Sequence, residues 1–102
     1  MAAAQTPDYI MRVSSQKGPG AYINPAKRIL QAHGFVELHG AGVATGTAII
    51  AAERIMTYGY ATLEKLETSK VEGSNTAKVE VRLNKGPGFD EAEQKFLKQN
   101  AS

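Results

Sequence analysis

The stretch VELHGAGVATGTAIIAAERIM, residues 36–56, joins a strand to a helix and decides how the rest of the chain is arranged. From Phe35 to His39, apolar and polar residues alternate as in a strand, and Gly40-Ala41-Gly42 then predicts a turn. Residues 43–58 predict a long helix with apolar residues around most of its circumference, so it should be buried on more than one side. We expect a second copy of the protein to cover one of those sides.

A strand, a turn and a helix precede this stretch. Residues 9–13 predict the strand, and Gly18-Pro19-Gly20 predicts the turn. Residues 21–33 predict the helix, with Asn24 as its N-cap and the following proline at its first helical position. A start at Tyr22 is the alternative, because the same proline would still lie in the first turn.

Two antiparallel strands follow it. Residues 60–72 predict the first, and its alternation slips near residues 64–66, which indicates a bulge or a bend. A turn at residues 73–75 leads to a second strand over residues 77–85, where apolar and polar residues alternate cleanly. The pattern is typical of a hairpin with one buried face.

The C-terminal segment predicts a short amphipathic helix over residues 89–98, opened by a capping box at Asp90. The order of elements is therefore β-α-β-α-β-β with one added helix, which indicates an α+β two-layer sandwich of two helices against a small sheet. We expect a flexible lead over residues 1–7, one domain over residues 8–88 and a helical tail over residues 89–102.

The composition is that of an ordinary globular chain. Hydrophobic residues make up 42% of it and charged residues 22%, so wholesale disorder is not expected. The absence of cysteine excludes disulfides, thiolate catalysis and cysteine-ligated zinc. No basic region precedes an apolar run at the start, and no run reaches about 18 apolar residues, so we expect neither a signal peptide nor a membrane span.

No motif for catalysis or metal binding is found. His33 and His39 do not belong to an HxxxH or HExxH spacing, and Ser14-Ser15 has no nearby histidine or aspartate to activate it. We therefore expect no enzyme activity, no metal and no cofactor.

Basic residues gather in the first third of the chain, although the net charge is only +2. Lys17 precedes the Gly18-Pro19-Gly20 turn between a strand and a helix, and Lys27 and Arg28 lie on that helix. A loop and a helix face of this kind can meet the phosphates of a polyanion, and a merely solvated basic face is the alternative. Tyr22 could stack on an unpaired base, or it could belong to the core.

Two further glycine-rich loops receive different interpretations. At residues 40–42, backbone amides at the start of a helix could face the same polyanion, or the glycines could serve close packing. The second Lys-Gly-Pro-Gly, residues 85–88, is interpreted as a structural bend, because Asp90 and Glu91 follow it and would repel phosphate.

Four blocks of the sequence, in order, resemble the Alba family of nucleic-acid-binding proteins, and most closely its small single-domain eukaryotic members. They are YINPAKRILQ, VELHGAGVATGTAIIAAERIM, LEKLETSKVE and AKVEVRLNK, and the likeness covers about residues 8–85. The resemblance implies a β-α-β-α-β-β fold, a homodimer or a heterodimer with a paralogue, and binding to RNA or DNA without catalysis.

The resemblance also implies positions for the binding residues. The first loop corresponds to a lysine-bearing loop of the family, and only Lys17 carries over. The second loop reads Ala41-Gly42-Val43 where archaeal members have an arginine-rich stretch, and Thr47 replaces a lysine. The hairpin, residues 60–85, corresponds to the family's arms and keeps Lys70, Lys78 and Arg82.

We therefore expect a non-catalytic protein that binds RNA or DNA mainly through phosphates and with little sequence specificity. RNA regulation or chromatin organisation, in the cytoplasm, the nucleus or both, is the expected setting, without a membrane. A protein-interaction subunit of a ribonucleoprotein assembly is the alternative. Tyr22 and the low charge density favour RNA or single strands. The expected binding residues are Lys17, Gly18, Gly20, Tyr22, Lys27, Arg28, Gly42, Lys70, Lys78 and Arg82.

Overall fold

The structure, a computed structural model, describes residues 7–100 of the chain. Its elements are β1 (Ile10–Arg12), a 3₁₀ turn (Pro19–Tyr22), α1 (Ile23–His33), β2 (Phe35–Ala41), α2 (Ala44–Thr57), β3 (Ala61–Lys70), β4 (Ala77–Lys85) and α3 (Phe89–Asn100). The predicted β-α-β-α-β-β order with an added C-terminal helix is confirmed. The predicted lead over residues 1–7 lies almost entirely outside the described residues.

The four strands form one mixed sheet in the order β1-β2-β4-β3. β1 runs parallel to β2, which requires the crossover that α1 supplies, whereas β4 is antiparallel to both β2 and β3. The register between β3 and β4 shifts between Leu63 and Lys65, close to the predicted bulge. Alternate residues of the central strands point towards the helices and are buried: Val36, Leu38, Val79, Val81 and Leu83. Their neighbours lie on the open face of the sheet.

α1 starts earlier than the expected N-cap at Asn24. The 3₁₀ turn Pro19–Tyr22 leads directly into the helix, whose first residue is Ile23. Pro25 therefore lies in the first turn, where its missing N–H breaks no helical hydrogen bond. The N-cap expected at Asn24 is wrong, and the alternative start at Tyr22 is correct to within one residue.

α2 lies unusually close to β2, because small residues face each other where the two elements cross. The buried side of α2 consists of Ala44, Ala48, Ala51, Ala52 and Ile55. A Cβ added to Gly40 of β2 would lie 2.5 Å from the carbonyl oxygen of Ala44 and 3.0 Å from the Cβ of Ala48. Glycine at position 40 is therefore what allows α2 to rest on the sheet at this distance.

α3 is joined to the main core through its first residue. Phe89 is 1% exposed, and its ring lies 5.3 Å from the ring of Tyr60 in an edge-on arrangement. Just before it, a Cβ on Gly86 would lie 3.3 Å from backbone atoms of Ala61, so the second Gly-Pro-Gly is a close-packed bend. α3 begins at Phe89, and Asp90 thus lies inside the first turn. The capping box predicted at Asp90 is therefore wrong.

In the part of the chain that the structure describes, no helix is both long enough and apolar enough to span a membrane.

Candidate nucleic-acid interface

Three connecting segments meet at one end of the sheet. The loops after β1 and β2 leave at the same end because these strands are parallel, and the N–H of Val13 donates to the carbonyl of His39 at 2.8 Å. The β3–β4 turn joins them, since the N–H of Gly42 donates to the carbonyl of Ala77 at 2.8 Å. We refer to residues 14–20, 42–43 and 70–78 as the loop end of the sheet.

The first loop presents Lys17 to solvent. Gly18 has an extended backbone with φ −71° and ψ 162°, and Pro19 then opens the 3₁₀ turn. Lys17 is exposed, and no carboxylate lies within 4.0 Å of its ammonium among the residues that the structure describes. The loop geometry thus agrees with a lysine held out by a short, stiff turn.

Arg54 is a second cation beside this loop and was not among the predicted binding residues. It lies in the last turn of α2, and its Nη1 atom is 3.8 Å from the position that a Cβ on Gly20 would occupy. The signal in the sequence was weak, because Arg54 follows a long apolar run and is far from Lys17 along the chain. Only the packing of the 3₁₀ turn against α2 brings Arg54 to Gly20 of the first loop.

Tyr22 is buried, which corrects its expected role as a stacking surface. Its hydroxyl accepts a hydrogen bond from the N–H of Ser14 at 2.7 Å and donates to the carbonyl of Ser14 at 3.2 Å. The ring fills the core under the first loop, and the hydroxyl ties the start of that loop to the start of α1. Tyr22 therefore shapes the loop from inside, as its core interpretation required.

Lys27 is also buried, which corrects its expected place on an exposed face of α1. Its Nζ lies 2.9 Å from Oε2 of Glu93 on α3, 4.1 Å from the ring centre of Phe96 and 4.9 Å from that of Tyr60. A cation enclosed by a carboxylate and two aromatic faces is held by both charge and cation–π attraction. Lys27 is thus a link between α1 and α3.

We expect Lys27→Ala to lower the free energy of unfolding by about 1–2 kcal/mol, since it leaves the partly buried Glu93 without its cation. Arg28→Ala, the exposed neighbour on the same helix, should change it by less than about 0.5 kcal/mol. Urea denaturation monitored by circular dichroism measures both changes in the free energy of unfolding. Equal effects of the two substitutions would contradict the role assigned to Lys27.

Arg28 and Arg82 lie towards the opposite end of the sheet, and Lys27 is buried, so the structure does not present Lys17, Lys27 and Arg28 on one exposed surface. Arg28 lines a groove with residues before β1 and at the end of α1. Arg82 is engaged on the open face of the sheet, with Glu37 at 3.0 Å, Glu64 at 3.3 Å and the ring of Phe35 at 4.0 Å. A cation with three such neighbours is poorly placed to serve a phosphate.

The hairpin contributes Lys70 and Lys78 at the strand ends next to the turn. Lys70 pairs with Ala77 and Lys78 with Ser69, so the two lysines lie on opposite faces of the sheet. Lys78 has Glu80 at 3.7 Å, a surface pair of little energetic weight. Lys70 is exposed, with no carboxylate within 4.0 Å among the described residues. The loop end therefore unites Lys17, Gly18, Gly20, Gly42, Lys70 and Lys78 of the predicted residues.

A separate, uncharged surface lies beside α2. Leu63 and Leu66 of β3 pair with buried residues of β4, which places them on the helix side of the sheet, yet they are 52% and 46% exposed. Val43, the N-cap residue of α2, is likewise exposed, and so are Ile49 and Ile50 on the helix. We refer to these five residues as the apolar face. The prediction that α2 is apolar beyond its buried side is confirmed.

Comparison with known proteins agrees with the fold. ALBA1 from Trypanosoma brucei has a similar structure, with a TM-score of 0.84 at 20% identity, covering 95% of this chain and 86% of its own. Alba from Thermoplasma volcanium gives a TM-score of 0.60 at 20% identity, covering 74% of this chain and 99% of its own. An uncharacterised protein of Arabidopsis thaliana is 34% identical over 90 residues, which are 79% of this chain and 69% of that protein.

The family assignment comes from the sequence itself. The Alba family pattern matches residues 10–71, from β1 to the start of the hairpin turn. This range contains the first loop, both helices that pack on the sheet, and the apolar face. The protein belongs to the Alba family.

Proposed function

We propose that this protein binds RNA or DNA through phosphate contacts at the loop end, with little sequence specificity and without catalysis. The observation that carries the proposal is the grouping of exposed cations there: Lys17 and Arg54 at the first loop, and Lys70 beside the hairpin turn. Contacts to phosphates position a protein on a nucleic acid but do not read its bases. Membership of the Alba family supports the proposal, since its members are generally nucleic-acid-binding proteins.

The choice between RNA and DNA stays open within this proposal. Tyr22 was the residue that favoured single strands, and its burial removes that support. A role in RNA regulation or chromatin organisation, in the cytoplasm, the nucleus or both, is part of the same proposal.

The test compares two lysines that precede the same Gly-Pro-Gly triplet at opposite ends of the sheet. Lys17→Ala should weaken binding to RNA and DNA of any sequence, and should reduce the slope of log K against log salt by roughly 0.7–0.9. Lys85→Ala removes an equal charge, but Lys85 lies 5.0 Å from the ring of Phe89, away from the loop end. It should leave the slope nearly unchanged. Fluorescence anisotropy at several salt concentrations measures both.

A larger effect of Lys85→Ala than of Lys17→Ala would show that binding uses the other end of the molecule. Absence of salt-dependent binding to any RNA or DNA would favour the alternative function, a protein-interaction subunit of a ribonucleoprotein assembly. The apolar face is the observation that supports this alternative, since exposed apolar patches often mark protein interfaces.

We further propose that a second Alba subunit covers the apolar face. Family members often dimerise, and five large apolar side chains on adjoining elements would otherwise remain in water. A second copy of this chain is the simplest partner, because a two-fold axis can bring the same patch of each subunit into contact. A paralogous subunit would present a similar patch.

The double substitution Ile50→Glu and Leu66→Glu should convert the dimer to a monomer, because each subunit would then bring two charges into an apolar contact. Thr62→Glu is the control, since Thr62 pairs with Asn84 and lies on the open face of the same strand. Sedimentation velocity at micromolar concentration measures the state of each variant. A wild-type chain that is monomeric under these conditions would contradict self-association and favour a paralogous partner.

A further inference from the structure

A groove lies at the opposite end of the sheet from the loop end. It has a volume of about 370 Å³ and is bounded by the turn before β1 and by the outer side of α1. The residues that line it are Asp8, Pro25, Arg28, Ile29, Ala32 and His33. Its floor is thus apolar, while a carboxylate, a guanidinium and an imidazole stand at its rim. The groove is shallow and widely open to solvent.

The two opposite charges of the groove do not neutralise each other. Asp8 and Arg28 line the same space, yet they form no ion pair within 4.0 Å. Among the residues that the structure describes, neither one forms an ion pair within that distance with any other side chain. A ligand between them would need hydrogen-bond donors for the carboxylate on one side and acceptors for the guanidinium on the other.

An aromatic cluster holds one wall of the groove. The ring of Tyr9 lies 6.3 Å from that of His33 at 74° and 4.7 Å from that of Phe35, and His33 and Phe35 are 6.4 Å apart. Arg82 closes the cluster by stacking over Phe35 at 4.0 Å. The imidazole of His33, which is exposed and lines the groove, is therefore backed by two rings.

We propose that this groove takes one unpaired purine base of a bound nucleic-acid strand, with guanine preferred, and this rests on the proposed function. Guanine carries N1–H and N2–H₂ donors on one edge and the O6 and N7 acceptors on another. The donors suit the carboxylate of Asp8, and the acceptors suit the guanidinium of Arg28. The base plane would lie against His33 and the apolar floor.

Other bases satisfy the groove less completely. Adenine and cytosine can donate to a carboxylate only through one exocyclic amino group, because no ring N–H lies beside that group. Uracil has no amino group. A base in this groove would be read at a point remote from the phosphate contacts of the loop end. The phosphates of the strand would contact the cations of the loop end, and one guanine base would bind in the groove at the other end of the sheet.

The experiment compares an oligouridine of about twelve nucleotides with the same strand carrying one central guanine, adenine or inosine. Inosine lacks only the N2 amino group of guanine. Wild-type protein should bind the guanine strand roughly tenfold tighter than oligouridine, and inosine should lose part of that gain. Asp8→Asn should reduce the guanine gain to less than about twofold while leaving the affinity for oligouridine within about twofold. Asp90→Asn is the matched control and should keep the full gain.

A second measurement does not depend on strand binding. Guanosine monophosphate, titrated into the full chain, should shift the amide NMR signals of Tyr9, Ile29 and His33 more than uridine monophosphate does. If oligouridine binds but guanine adds nothing, the groove proposal is wrong and the proposed function stands. If no strand binds while guanosine monophosphate shifts these amides, the proposed function fails, and the groove is a site for a free guanine nucleotide instead of a base of a bound strand. A guanine gain that survives Asp8→Asn would also overturn the groove proposal.

Discussion

Gly40→Ala is expected to lower the free energy of unfolding by about 2–3 kcal/mol, which corresponds to roughly 10–20 °C in Tm for a domain of this size. The new methyl group would meet the carbonyl oxygen of Ala44 at 2.5 Å and the Cβ of Ala48 at 3.0 Å. Backbone atoms of a helix cannot turn aside as a flexible side chain does, so α2 has to move away from β2. Thermal and urea denaturation of the purified variant measure the loss.

Gly18→Ala is the matched control for this prediction. Gly18 has a negative φ of −71° with an extended ψ, and no atom lies within 4 Å of an added Cβ. The same substitution should therefore be neutral or stabilise the chain by up to about 1 kcal/mol, since it reduces the freedom of the unfolded state. If the two variants were equally stable, the close contact between β2 and α2 would not limit the fold.

Phe89→Ala is the second substitution with a large expected effect. It should lower the free energy of unfolding by about 3–4 kcal/mol. Phe89 is fully enclosed beside Tyr60. Truncation to alanine leaves a cavity in the core and also loses the stabilisation that comes from burying the apolar ring. The expected result is destabilisation of the whole domain in one transition, because Phe89 belongs to the same core cluster as the buried sheet residues. Urea unfolding followed at the helical signal and at tyrosine fluorescence should give coincident curves.

Leu97→Ala supplies the comparison on the same helix. Leu97 is 52% exposed, and its truncation should change the free energy of unfolding by less than about 1 kcal/mol. A separate early transition in Phe89→Ala, with the remaining domain as stable as the wild type, would show instead that α3 folds onto the domain independently.

Most of the fold could be predicted because its signals are local. The alternation in β2 and β4 and the glycines around α2 are visible within a few residues, and they predicted these elements to within two residues of their observed bounds. The turn predicted at residues 40–42 starts later than expected, because Gly40 and Ala41 still pair with β4 as part of β2. The start of α1 was harder to predict from the sequence. Pro19 and Pro25 are both acceptable helix-opening residues, and the choice depends on how the 3₁₀ turn packs against α2, which the spacing of residues does not reveal.

The candidate site was only partly predictable, for a related reason. The exposure of Lys17 follows from a local turn, whereas Lys27 is buried by Glu93, which is 66 positions away along the chain. No periodicity within α1 distinguishes a lysine that meets water from one that meets α3. Arg54 was missed for the converse reason, since its place beside Gly20 is created by tertiary packing alone.

The enclosure of Lys27 has a consequence for covalent chemistry. Acylating reagents and modifying enzymes need the free amine of a lysine to reach an electrophile, and Lys27 is the one lysine among the described residues that is buried. Its amine becomes reachable only when α3 lifts from α1 and separates it from Glu93. The rate at which a reagent labels Lys27, relative to exposed Lys17, therefore reports how often the C-terminal helix opens in the native protein.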